Sequence, residues 1–256
     1  MRALVSLHRI TANRGRHSRL ALAALALGSV AFATPSHADA ASVSSFAAQS
    51  GRAIVSSALA AARAKASCTS SSHTVINGVS YTSVTNSAMT SGELLLHFGG
   101  ARSTVRVVGG EVYINDNQAA LLDQFSVRAP QSAHRWIEIP PSNSNFARFD
   151  SGILLPSLLS EVAPAGQLQT TAPGRIGRVA VVGVTGRPNL DLGLASGSET
   201  LYVALAGAHV PVELVASDVV SGQRKTYIIT YHNWGINFHL APPAGAIAIS
   251  ATRLPS

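Results

Sequence analysis

From His73 onward, apolar and polar residues alternate with a period of two, as in strands that bury one face. Leu94, Leu96 and Phe98 share one side, with Glu93, Leu95 and His97 on the other. Gly99-Gly100 turns the chain into Val105 and Val107, which flank Arg106. Gly109-Gly110 turns it again into Val112 and Ile114, alternating with Glu111, Tyr113 and Asn115. These segments predict an antiparallel meander with one apolar face. Asp116 then stands where a helix N-cap belongs, ahead of Leu121, Leu122 and Phe125.

Downstream, His134 to Ile139 reads as a strand stopped by Pro140-Pro141. Leu154, Leu155, Leu158, Leu159 and Val162 fall at helical spacing, with Pro156 tolerated only in the first turn and Pro164 and Gly166 ending the helix. Strands return at Ile176 to Val184, Thr200 to Leu205, Val210 to Ser217 and Lys225 to Tyr231, with Gly186-Arg187-Pro188 and Ser221-Gly222 supplying turns. Upstream, Phe46, Ile54, Ala58 and Ala61 predict a modest helix within Ser42 to Ala66, weakened by Gly51 and the serines. Cys68 to Ser72 reads as a Ser/Thr-rich break. Helices grouped between two blocks of antiparallel strands describe an α+β domain.

Charge locates the remaining boundary. Residues 1–19 hold Arg2, Arg9, Arg14, Arg16 and Arg19 and no acid, followed by an uncharged run from Leu20 to Ala33 and then Ala38-Asp39-Ala40. This is the layout of a secretory signal peptide over 1–40, and the absence of an Arg pair favours the general secretory route. The chain then divides into 41–72, a helix with a Ser/Thr-rich linker, and 73–256, the sheet domain. Without the leader, 14 basic and 11 acidic residues remain, so the formal charge of +7 falls to +3. Arg102/Arg106, Arg175/Arg178 and Arg224/Lys225 are short local pairs read as solvated faces and turns, so nucleic acid is not an expected partner. Only 12% of the chain is charged and 46% is apolar, which excludes intrinsic disorder. The single Cys68 excludes an internal disulfide framework and reads as an ordinary free thiol.

Candidate chemistry is sparse. No Gly-x-Ser-x-Gly, His-Glu-x-x-His, phosphate-binding glycine loop or dinucleotide fingerprint occurs, so no catalytic residue and no cofactor is assigned. The histidines are scattered and read as solvated or capping residues, so no metal is assigned; the alternative is His209, His232 and His239 meeting across neighbouring strands around a metal, as in a metal-dependent hydrolase. Asp150, Asp191 and Asp218 suit turn and capping roles. Trp136 and Trp234 read as core anchors.

Glu111-Val112-Tyr113-Ile114 followed by His134-Arg135-Trp136-Ile137-Glu138-Ile139 resembles the order of a Tyr-bearing strand, a helix and a basic-Trp strand in the actinobacterial LppX/LprG-type lipoproteins. Leu201-Tyr202-Val203, His209 to Leu214, and Tyr231-His232-Asn233-Trp234-Gly235 running into Ala241 to Gly245 continue it. The resemblance spans about residues 73–249. It implies a strongly curved antiparallel sheet, a half-barrel, with helices across its concave face. It also implies an exported carrier of acylated lipids or glycolipids in the cell envelope. The apolar wall would come from Leu94, Leu96, Val105, Val107, Ile114, Leu121, Leu122, Phe125, Leu154, Leu158 and Val162. The family is normally lipid-anchored, and this chain has no Cys just after its apolar run, so membrane contact is expected to be peripheral. The same half-barrel would also serve a sensor or interaction module that docks a partner protein without carrying lipid.

Overall fold

The computed structural model describes residues 45–76, 79–189, 197–220 and 223–255. The leader read over 1–40, Asp191 and the Ser221-Gly222 turn lie outside them. Thirteen strands form one sheet: β1 (Ser67–Ile76), β2 (Val79–Ala88), β3 (Ser91–Phe98), β4 (Ala101–Val108), β5 (Glu111–Asp116), β6 (Trp136–Ile139), β7 (Ala165–Thr170), β8 (Gly174–Ile176), β9 (Val179–Arg187), β10 (Gly197–Ala204), β11 (Pro211–Val220), β12 (Gln223–His232) and β13 (Ile247–Ala248). The order is β13-β6-β5-β4-β3-β2-β1-β12-β11-β10-β9-β7, with β8 also on β9. All pairings are antiparallel except β13 with β6. The sheet is curved and unclosed, and with its few helices it is an α+β half-barrel.

Helices cover the inner face. α1 (Gly51–Lys65) lies over β7, β9, β10 and β11 and reaches β1; α2 (Gln118–Phe125) lies on β4 and β5; α3 (Phe146–Asp150) touches β5; α4 (Leu155–Glu161) sits between α1 and β2. α1 starts at Ser50, whose hydroxyl accepts from the Ala53 amide, so Gly51 opens the helix instead of interrupting it. Glycine is needed there for contact: a Cβ would lie 3.0 Å from Val184 Cγ1 and 3.1 Å from Leu168 Cβ.

The meander of β3, β4 and β5 pairs as the alternation predicts. Elsewhere the structure departs from the pattern. Cys68 to Ser72 is no break but the first half of β1, the strand that joins the two halves of the sheet. Two of its hydroxyls bond across the ladder to β2, Ser72 Oγ with Ser83 Oγ at 2.7 Å and Thr69 donating to Asn86 Oδ1 at 3.0 Å, which weakens the usual reason for Ser and Thr to favour loops. Asp116 ends β5, and the α2 cap is Asn117, whose Oδ1 accepts from Ala120 N at 2.9 Å. The expected strand from Ile176 is two strands, split at Gly177, where φ is +56°. Gly186 and Arg187 belong to β9 and not to a turn. The weakly buried edge strand β7 carries no apolar alternation to betray it.

Beyond β12 the chain straps the outer face. Ile236 O accepts from Ser67 Oγ and Ala241 O accepts from Arg106 Nη1 at 3.0 Å, before β13 joins β6 and Leu254 buries in the core. Arg106 also pairs with Glu93 at 2.6 Å and lies 5.0 Å over the Trp136 ring.

Candidate functional site

Parity fixes which side chains of each strand reach the covered face. In β1 these are Cys68, Ser70, Ser72 and Thr74, and their partners in β2 are Ser87, Thr85, Ser83 and Tyr81. The middle of the inner face is therefore a strip of hydroxyls, and it separates two apolar cores. One core gathers Leu94, Leu96, Phe98, Val105, Val107, Val112, Ile114, Leu121 and Phe125, with Phe149 and Ile153 from above. The other gathers Ile54, Val55, Ala58 and Ala62 of α1, Leu155, Leu158 and Leu159 of α4, and Val182, Val184, Leu201, Leu214 and Ile229 of the sheet.

The cover over the strip is the short connection Ser151-Gly152-Ile153-Leu154 between α3 and α4. It does not fill the space beneath. A pocket bounded by Ser70, Ser72, Ser83, Thr85, Leu94, Ile153, Leu158 and Ile229 encloses about 20 Å³, room for about one water. Against β3 the same connection is tight: a Cβ at Gly92 would stand 2.7 Å from both Ile153 Cγ2 and Ile153 O.

Of the residues expected to line a lipid cavity, Leu94, Leu96, Val105, Val107, Ile114, Leu121 and Phe125 lie in the first core, and Leu154 packs partly buried against it. Leu158 and Val162 lie in the second. Leu122 stands apart from these, 43% exposed on α2. The two groups face the same covered layer from either side of the hydroxyl strip.

At the far end of the first core sits a polar group that sequence reasoning missed. Asp116 and Ser103 are register partners on the inner face, both buried. Gln124 Nε2 donates to Ser103 Oγ at 3.2 Å, and Arg148 Nη1 donates to Gln124 O at 2.5 Å. Burial pushes the Asp116 carboxyl up to about 7, against the opposing pull of Ser103 and of the Arg148 charge. Burial likewise raises Asp123 and lowers Arg148. The Arg148 Nε and Nη2 are buried without a hydrogen-bond partner. The signal was present in the alternation: Val112 and Ile114 point inward, so Asp116 must as well.

Cys68 is fully buried, and desolvation pushes its thiol up to about 12, which makes it a poor nucleophile. The histidine trio is not assembled. His209 stacks on Phe46 with centroids 3.9 Å apart and its Nδ1 lies 3.0 Å from Ala204 O, while His232 pairs with Thr69 on the outer face. Among the described residues no three His, Cys, Asp or Glu come together as metal ligands, and no helix is long and apolar enough to cross a membrane. Trp234 donates to Pro211 O at 3.1 Å and packs against the second core. On the outer face Val75, Val84, Leu95 and Ile228 remain exposed across four neighbouring strands.

No protein-family model matches the chain, and no curated protein matches it. Among solved structures the chain is similar to LprF from Mycobacterium bovis, with 15% identity, a TM-score of 0.48, and coverage of 76% of this chain and 97% of that one. It is also similar to an uncharacterized conserved protein from Thermus thermophilus, at 10% identity and a TM-score of 0.45 over 78% and 98% of the two chains. A third is MucB in complex with MucA(peri), at 14% identity and a TM-score of 0.38 over 77% of this chain and 58% of that one. Likenesses of this size concern the general course of the chain and transfer none of those proteins' properties to it.

Proposed function

We propose that the protein is an exported, non-enzymatic lipid-binding protein of the cell envelope that takes the acyl chains of a lipid or glycolipid between its sheet and its helices. The observation that carries this reading is the incompletely filled hydroxyl strip between two apolar cores, roofed by one short connection. A closed core of this size gains nothing from such a seam. A layer that opens does, because the bond between Ser72 Oγ and Ser83 Oγ across the ladder survives when the roof lifts.

The magnitudes favour exchange. Displacing Ile153 and Leu158 from the strip costs about 3–6 kcal/mol at 1.5–3 kcal/mol per buried side chain, whereas an acyl chain of about sixteen carbons supplies about 12 kcal/mol at 0.8 kcal/mol per methylene. Chains entering there would touch Leu94 on one side and Ile229 on the other, then extend along Leu96 and Val105 under α2. The Asp116–Arg148 group lies at the end of that path and offers both a donor and an acceptor to a polar atom.

The test is to isolate the protein from its host under mild conditions and analyse co-purifying lipid by mass spectrometry. About one acylated lipid per protein is expected; protein that emerges lipid-free and takes up no lipid from vesicles overturns the reading. A second reading, a module that docks a partner protein, is favoured by the exposed outer row of Val75, Val84, Leu95 and Ile228. Charged substitutions at Val84 and Leu95 that abolish partner capture while bound lipid is unchanged would support it.

A further inference from the structure

Acidic residues are missing from two long stretches, 41–92 and 162–190. The first holds Arg52, Arg63 and Lys65 of α1; the second holds Arg175, Arg178 and Arg187. The fold lays these stretches side by side, because α1 packs on β7 and β9. Arg52 and Arg63 are eleven residues apart, so they share one azimuth and stand about 16 Å apart along the helix. Both are exposed. With Val55, Ser56 and Leu59 between them and Pro164, Gly166 and Leu168 opposite, they line an open groove of about 360 Å³. Arg187 stands beside Gly166, where a Cβ would lie 2.9 Å from its Nε. The β8–β9 hairpin on the same edge adds Arg175 and Arg178, with Val179 42% exposed beside them. On this half Glu199 is fully buried and Glu161 is half-buried, with Ser151 Oγ 3.5 Å from its Oε1.

We infer that this edge, formed by α1, β7, β8 and β9, is the face by which the protein docks on an anionic phospholipid bilayer. A row of cations drawn from two acid-free stretches of sequence is attracted to a negative surface at about 1 kcal/mol per residue, close to a five-fold gain in partition each. The partly exposed Leu59, Leu168 and Val179 give the interface region shallow apolar contacts, and the arginine stems cover more. The inference deepens the lipid-binding reading by saying which side meets the membrane, and it rests on that reading only for its purpose. The docking itself needs no bound lipid.

The experiment uses protein purified after export and vesicles of phosphatidylcholine with or without about one-third phosphatidylglycerol. Wild type is expected on the anionic vesicles and not on the neutral ones, with binding lost at high salt. R52Q/R63Q/R187Q should lower the partition about a hundred-fold. R52Q/R63Q/R178Q, which spares the Arg187 packing, should do the same, while R102Q/R128Q/R135Q on the opposite half should bind as wild type. Circular dichroism checks that each variant is folded. Equal binding to neutral vesicles, equal losses in both sets of variants, or retention by an acidic peptide but not by anionic vesicles overturns the proposal. Measuring co-purified acyl lipid in the same samples keeps the two failures apart, since a docking-defective variant that still holds lipid leaves the carrier reading intact.

Discussion

Asp116→Asn isolates the most unusual group in the interior. The carboxyl has an ordinary value of 3.8 and is raised to about 7 in the fold, because burial between β4, β5, α2 and α3 penalises its charge more than Ser103 and Arg148 favour it. Below both values the carboxyl is neutral in folded and unfolded chains and contributes nothing. As pH rises from about 4 to 7 the unfolded chain ionises first, so stability falls; above about 7 both forms are ionised and the loss is complete. At about 1.4 kcal/mol per pH decade the full loss is about 4 kcal/mol. Asn keeps the shape and cannot ionise. Urea unfolding followed by the fluorescence of Trp136 and Trp234 should therefore show the two proteins level at pH 4 and the Asn variant ahead by up to about 4 kcal/mol at pH 8. Asp150 and Glu213, also raised by burial, titrate alike in both proteins and cancel in the difference. Parallel stability profiles, or an Asn variant weaker than wild type at pH 8, would refute the assignment of Asp116 as a carboxyl buried at a cost.

Two further outcomes follow from close contacts. Gly92→Ala places a methyl group against Ile153, so the roof over the hydroxyl strip should lift at a cost of about 1–3 kcal/mol, read as faster limited proteolysis within 151–154; unchanged cleavage would show that the connection does not press on β3. Cys68 should resist Ellman's reagent at pH 8 in the native protein and react at once in denaturant, and rapid native reaction would contradict its burial.

The parts legible in the sequence are those where parity has contrast. Glu93-Leu94-Leu95-Leu96-His97-Phe98 and Glu111 to Ile114 announce both strand and inner face, and the Leu155–Glu161 helix is set by leucine spacing and by Pro156 in its first turn. β1 has no contrast: Ser67, Thr69 and Ser71 point one way and Ser70 and Ser72 the other, so the strand that divides the two cores reads as a loop. Asp116 reads as a cap because a carboxylate before a helix suits one on local grounds, and only its place in the alternation, one step beyond Ile114, says that it is buried. The basic edge was invisible for a different reason. Its cations lie in separate stretches of sequence, and only the packing of α1 on β7 and β9 joins them.

The position of β1 governs how the molecule comes into being. Its neighbours are β2, the next strand along the chain, and β12, whose Ile229 faces Ser72 across more than 150 intervening residues. The β2 to β6 half can pair as it emerges during synthesis, but β1 keeps an open hydrogen-bonding edge until nearly the whole chain exists. Because closing so long a loop is slow, the native sheet forms late, and the waiting edge is the point at which a chaperone, or a second unfinished chain, has the most time to bind.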